Sequence, residues 1–186
     1  YNGNWSKDKN NVYYNGSIIK NAAASSFKAI DTDYGTDIHS AYYKGEKILD
    51  SDVNSFETFS HDDYSKDKNN IYFSGKKIIS ADVASFVLIS NSDYSKDKNN
   101  VYYLGEKVIG ADADTFTASK EAYRSDDSYG KDKNSSFYKG KKTNEVFKDL
   151  GDNYSQKNNA VYYNNIILEE ADAATFEVRI KQNHNN

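Results

Sequence analysis

Short aromatic and β-branched bursts alternate with polar tracts along this chain, and the distances between them hardly vary. The stretch from Tyr64 to Phe86 shows the pattern most plainly. Ser65 to Asn70 is rich in Lys, Asp and Asn and reads as a polar turn, because Asp and Asn side chains accept from backbone N–H groups two residues on and tolerate left-handed backbone. Ile71-Tyr72-Phe73 then meets Ser74-Gly75 and returns as Lys76 to Ile79, which signals a β-hairpin. Asn15-Gly16 stands at the same point nearer the N-terminus, the pair favoured in two-residue type I′ turns.

A two-residue turn at Ser74-Gly75 pairs Phe73 with Lys76, Tyr72 with Lys77 and Ile71 with Ile78. Alternation along a strand then places Ile71, Phe73 and Ile78 on one face, the expected core face. Val12, Tyr14 and Ile19, and Val101, Tyr103 and Val108, are the equivalent sets. The opposite face carries Tyr72 over Lys77, Tyr42 over Lys47, Tyr102 over Lys107 and Phe137 over Lys142, which predicts half-exposed rings lying under lysine stems. After the hairpin, Asp82 sits at a good N-cap position for about one helical turn, echoed by Asp52, Asp112 and Asp172. The following Phe leads a short segment, such as Phe86 to Ile89 or Phe56 to Phe59, expected as a third strand.

The same frame recurs six times. An aromatic opens each unit, at Trp5, Tyr34, Tyr64, Tyr94, Tyr129 and Tyr154, and a second aromatic follows nine residues later. In all units but the fifth a Phe comes 13 residues after that: Phe27, Phe56, Phe86, Phe116 and Phe176. In the fifth, Phe147 comes only nine residues after Tyr138, so most of one segment is missing, and a longer linker, Thr117 to Ser128, precedes the unit. The expected fold is therefore mainly β: six tandem units of about 30 residues, each a β-hairpin, a short helical turn and a third strand. One such unit buries too little to stand alone, so neighbours stack. The reading is a single repeat domain over residues 5–180, with frayed ends at 1–4 and 181–186. An open solenoid or superhelix is expected first. A closed six-unit, propeller-like ring is the alternative, with the strand after Phe176 completing the first unit.

Composition narrows the function more than the fold. The 186 residues contain no Cys, which excludes disulfides, thiolate nucleophiles and Cys-bound metals. A net charge of −4 argues against nucleic acid as a partner. Mean hydropathy is −0.90, yet aromatics make up 15% of the chain and recur at fixed places, unlike a disordered chain. No apolar run is long enough to span a bilayer. The missing Met, at position 1 too, implies a mature or trimmed chain from which any export signal has been removed.

The tract Ser-Lys-Asp-Lys-Asn-Asn-Val-Tyr-Tyr at Ser6 to Tyr14, repeated at Ser95 to Tyr103 and nearly so at Ser65 to Phe73, resembles the DKNYY family of bacterial repeat proteins. The Ala-Asp…Phe segments at Ala81 to Phe86 and Ala171 to Phe176 resemble that family's spacer. The resemblance covers essentially the whole chain, with departures at Asp37 to Ala41 and at Lys157, which replaces the motif Asp. It implies an exported envelope or surface protein, periplasmic or outer-surface, lipid-anchored through a removed N-terminal segment, and it says little about activity.

Three kinds of chemistry are open to these residues. Asp62, Asp63, Asp67 and Asn69 offer oxygens to Ca²⁺, but Lys66 and Lys68 interleave with them, and turn scaffolding is the simpler use. His39, His61 and His184 fall at unrelated positions in their units, and no catalytic set stands out, so no enzyme and no cofactor is expected; a hydrolytic site near the 117–128 linker is the remaining enzyme reading. Tyr13, Tyr42, Tyr72, Tyr102, Phe137 and Tyr162 occupy one position in all six units. Either they form an exposed aromatic row for sugar rings or an extended peptide, or they pack between neighbouring units. The expected function is a non-catalytic envelope module that binds or spaces, its partner a protein or glycan of the envelope. The alternative is a calcium-stabilised surface adhesion module.

Overall fold

The computed structural model describes residues 4–59, 63–90, 92–120, 128–144, 147–164 and 166–178. Among them the chain forms six antiparallel sheets in tandem, three-stranded in the first and four-stranded in the rest. The third sheet runs Glu57–Thr58, Tyr64–Lys66, Ile71–Phe73, Lys76–Lys77, each strand paired with the next.

The hairpin register is the one the turn chemistry dictates. Tyr72 faces Lys77, Phe73 faces Lys76, and the N–H of Ile78 donates to the carbonyl of Ile71 at 2.8 Å. Tyr42↔Lys47, Tyr102↔Lys107 and Phe137↔Lys142 repeat it. Type I′ geometry needs positive φ at both central residues. Asn15 and Gly16 meet it at 49° and 78°, and even Leu104 is held at 46° beside Gly105.

Two features differ from the sequence reading. The opener segment is a strand and not part of a polar turn: Tyr64–Lys66 pairs along its length with Ile71–Phe73, and only Asp67 to Asn70 turn. Ser and Lys disguise it, being weak strand formers. The residue after the opener is small for a packing reason. A Cβ on Gly35 would lie 2.5 Å from Cζ of Phe27, and one on Gly130 would run into the Phe116 ring. The strand after Phe27, Phe56, Phe86 and Phe116 also pairs with the opener strand of the following unit, as in Lys28↔Thr36, Glu57↔Lys66, Val87↔Lys96 and Thr117↔Lys131. Each of these repeats thus hands a strand forward.

The helical turns are slight. Val53–Ser55 is a single 3-10 turn capped by Asp52, whose carboxylate accepts from the N–H of Ser55 at 3.1 Å. Residues 83–85 and 113–115 form simple turns, capped likewise by Asp82 and Asp112. The fifth unit lacks this segment: Lys141–Thr143 leads, with 145–146 outside the described residues, into Phe147–Gly151 of the sixth sheet.

The chain divides into two compact units, Tyr1–Phe86 and Val87–Asn186. In the first, Trp5, Val12, Ile19, Ala24 and Phe27 form a core with Tyr42 of the second sheet, and Tyr34, Ala41, Tyr43 and Ile48 form the next with Tyr72 of the third. In the second, Tyr94, Val101, Val108, Ala113 and Phe116 surround Phe137 of the fifth sheet. In each of these clusters one face of a sheet packs on the opposite face of the sheet that follows it. Of the end segments 1–4 and 181–186, read as frayed, 1–3 and 181–186 lie outside the described residues.

Candidate functional site: the tyrosine row and the aspartate turns

The six positions of the aromatic row are not half-exposed. Tyr42 is 2% exposed, and Tyr72, Tyr102 and Phe137 are 0% exposed; Tyr13 and Tyr162, in the first and last sheets, are partly buried. The expectation of rings lying under lysine stems is corrected for the four inner positions. Lys47, Lys77 and Lys107 do face them across the strand pair but extend into solvent. The reason is that Tyr42, Tyr72 and Phe137 enter the core of the preceding sheet, so that face of their hairpins is not a surface. Phe27, Phe56 and Phe116 pack on Tyr42, Tyr72 and Phe137 with ring centroids 6.2, 6.2 and 5.7 Å apart.

A buried tyrosine needs a partner for its hydroxyl, and the motif aspartate supplies it. Asp67 is 2% exposed. Its Oδ1 accepts from the N–H groups of Asn69 and Asn70 at 2.7 and 2.8 Å, holding the turn. Its Oδ2 accepts from the Tyr72 hydroxyl and from the N–H of Asp52, both at 2.8 Å. One carboxylate thus ties together the turn, the ring that fills the core and the preceding capped segment. Asp37 repeats all four contacts with His39, Ser40, Tyr42 and Ala23. Asp97 binds Asn99, Asn100 and Tyr102 in the same way, and Asp132 binds Asn134, Ser135 and the N–H of Asp112.

The second tyrosine of the pair reaches forward. The hydroxyl of Tyr14 donates to Asp33 at 3.0 Å and that of Tyr43 to Asp63 at 2.8 Å, each Asp standing just before the next opener. Opener hydroxyls are also engaged: Tyr34 donates to the Asp63 carbonyl at 2.7 Å, and Tyr94 accepts from the N–H of Gly140 at 2.9 Å. The lysine two residues after the opener closes the capped segment, Lys96 donating to the carbonyls of Ala113 and Phe116 and Lys7 to those of Ala24 and Phe27.

These contacts set the electrostatics. Burial pushes the Asp37 and Asp67 carboxyls up, but the converging N–H groups and the tyrosine hydroxyl outweigh it and hold both below the usual carboxylate value. Burial first, and the bond to Asp37 second, push Tyr42 up to about 12. Burial likewise pushes Tyr94 up to about 12 and raises Tyr72 and Tyr34 further.

A cation that takes six to eight oxygens finds little here. The lone pairs of Asp67 point at four protein donors, Asp63 accepts from Tyr43, and Asp62 lies outside the described residues. Among the described residues no three His, Asp or Glu side chains converge. His39 is exposed; His61 and His184 lie outside the described residues. The 117–128 linker begins as the strand Thr117–Lys120, paired with Ser128–Lys131, and its tip, 121–127, lies outside the described residues. Among the described residues no helix is long and apolar enough to cross a membrane.

Sequence reasoning placed the aspartate in its turn but missed its second oxygen. The signal was available: in five units an Asp stands five residues before the first aromatic of the pair, and where Lys157 replaces it the turn changes. There Lys157 pairs directly with Ala160 around Asn158, whose φ is 55°.

No curated protein and no solved structure matches this chain. The DKNYY family model matches residues 5–141, from the first opener into the fifth hairpin. With most of its length matched and its repeat built from those contacts, the chain belongs to the DKNYY family.

Proposed function

We propose that this chain is a non-catalytic repeat module of the bacterial cell envelope, exported and serving to bind or space other envelope molecules. The observation behind this reading is that the polar groups recurring in the repeats are occupied by one another. The carboxylates cap turns and accept from tyrosines, and the lysine after the opener holds carbonyls. A site of reaction needs groups directed at a substrate. The recurring groups that do face outward are of a different kind. Leu49, Ile79 and Ile109, equivalent in three successive repeats, are 71%, 73% and 77% exposed, each two residues after an exposed lysine. Aliphatic and cationic groups in that alternation suit a protein or glycan of the envelope. The array is taken as an open solenoid and not a closed propeller-like ring, in keeping with a spacer; small-angle scattering of an elongated particle supports this, and a ring-like profile opposes it.

The test is retention of the purified protein on isolated envelope fractions. The variant Leu49→Ser/Ile79→Ser/Ile109→Ser is expected to melt like the parent and to lose retention tenfold or more. Equal retention of the two proteins contradicts the proposal, as does recovery of the native protein in the cytosolic fraction of its cells. A calcium-stabilised adhesion module is disfavoured by the saturated aspartates, and the thermal midpoint is expected to stay unchanged on adding a chelator. A fall on chelation, reversed by Ca²⁺, would favour the calcium reading.

A further inference from the structure

The lysine two residues after the opener is a ligand of the backbone, and the second repeat has replaced it. In the first repeat the Lys7 ammonium donates to the carbonyls of Ala24 and Phe27 at 2.8 and 3.2 Å. In the fourth, Lys96 donates to those of Ala113 and Phe116 at 2.9 and 3.2 Å. The acceptors stand 17 and 20 residues after the lysine both times. Two carbonyls of the capped segment thus form a seat for one ammonium, a group that carries three donors.

In the second repeat Thr36 stands at the lysine position, and Val53 and Phe56 follow it at the same two distances. The elements that build the seat keep their course. Thr36 pairs with Ala41 as Lys7 pairs with Val12 and Lys96 with Val101. Phe56 packs on its opener Tyr34 with ring centroids 6.0 Å apart, as Phe27 packs on Trp5 and Phe116 on Tyr94, both at 5.1 Å. The Ser55 N–H donates to the Asp52 carbonyl at 3.2 Å where that of Ser26 donates to Ala23 at 3.1 Å. The Val53 and Phe56 carbonyls therefore hold the places of the seat, and Thr36 is too short to bring a cation to them.

Among the described residues no side chain donates to either carbonyl. The neighbouring cations are engaged elsewhere or face away. Lys66 meets Glu57 at 3.3 Å and Lys68 meets Asp52 at 2.7 Å. Lys28 faces Thr36 across the strand pair and is exposed. Thr36, Val53 and Phe56 are each only partly buried, so the seat is open to a small solute.

We infer that the Val53 and Phe56 carbonyls take a primary ammonium from outside the chain, the group that Lys7 and Lys96 supply from within. The ligand class is a primary alkylammonium, held by charge-assisted N–H bonds; a quaternary ammonium has the charge but no donor and does not replace it. Methylammonium chloride is the probe and tetramethylammonium chloride, at equal ionic strength, its control. On the full chain, the carbonyl ¹³C resonances of Val53 and Phe56 are expected to shift saturably with methylammonium and to stay still with tetramethylammonium. The melting midpoint is expected to rise by about 2 °C or more with methylammonium alone. Thr36→Lys puts the ammonium back within the chain; it is expected to raise the midpoint and to abolish both responses. Lys28→Met is expected to keep them. Carbonyl resonances that do not respond in the parent overturn the proposal, whether or not Thr36→Lys folds. A response that survives in Thr36→Lys also overturns it, as does one that appears only in Lys28→Met, since Lys28 would then fill the seat in the parent.

Discussion

Asp67 shows at single-residue scale what the repeat motif is for. Its carboxylate serves two donors in its own turn, a buried tyrosine and a backbone N–H from the preceding segment. Removing one donor and removing the acceptor therefore differ. Tyr72→Phe deletes one hydrogen bond to a charged group and is expected to cost about 1.5–3 kcal/mol. Asp67→Ala strands four donors, and its loss is expected to exceed that of Tyr72→Phe in chemical denaturation; equal losses would mean that the carboxylate does not organise the site. The same groups fix the pH range. Asp37 and Asp67 have depressed pKa values in the folded state, so their stabilisation is full above the ordinary carboxyl value of about 3.9 and is lost as pH falls through the lowered values. Tyr42 and Tyr94 are raised to about 12, so theirs is full below the ordinary tyrosine value of about 10 and is lost as pH rises through the raised values. A stability plateau between about pH 5 and pH 9, falling off on both sides, is expected; alkaline unfolding that precedes tyrosinate formation contradicts it.

At the scale of elements, every sheet after the first is assembled from two repeats, which is why the sequence reading found the hairpin and missed the opener strand. The hairpin was legible because its turn needs positive φ and its strands carry Ile, Val, Tyr and Phe. Tyr64-Ser65-Lys66 carries no such mark. Gly35, at the position of Ser65, is small because the Phe27 ring lies against it, a fact of tertiary packing that no local propensity encodes. Burial of the tyrosine row was one of two readings the sequence left open, because alternation says that two faces exist, not that both are covered. Gly35→Ala tests the packing account. Its Cβ, 2.5 Å from Cζ of Phe27, is expected to overpack the site by about 1–3 kcal/mol, with partial rescue by Phe27→Leu. A neutral Gly35→Ala would place the reason for the small residue elsewhere.

For the whole molecule, the contacts within each compact unit are those of one repeat meeting the next, and this accounts for a chain without Cys that is poor in aliphatic residues. The Asp, Asn, Lys and Tyr that make it polar are also what it folds with. That is the central claim: the recurring residues are framework. Thermal unfolding of Tyr42→Ala/Tyr72→Ala/Tyr102→Ala, followed by circular dichroism, tests it most directly. The account predicts loss of the cooperative transition, since each buried aromatic truncation costs about 3–5 kcal/mol against a total stability of about 5–15 kcal/mol. A variant that still melts cooperatively near the parent midpoint would contradict it and return these rings to the surface.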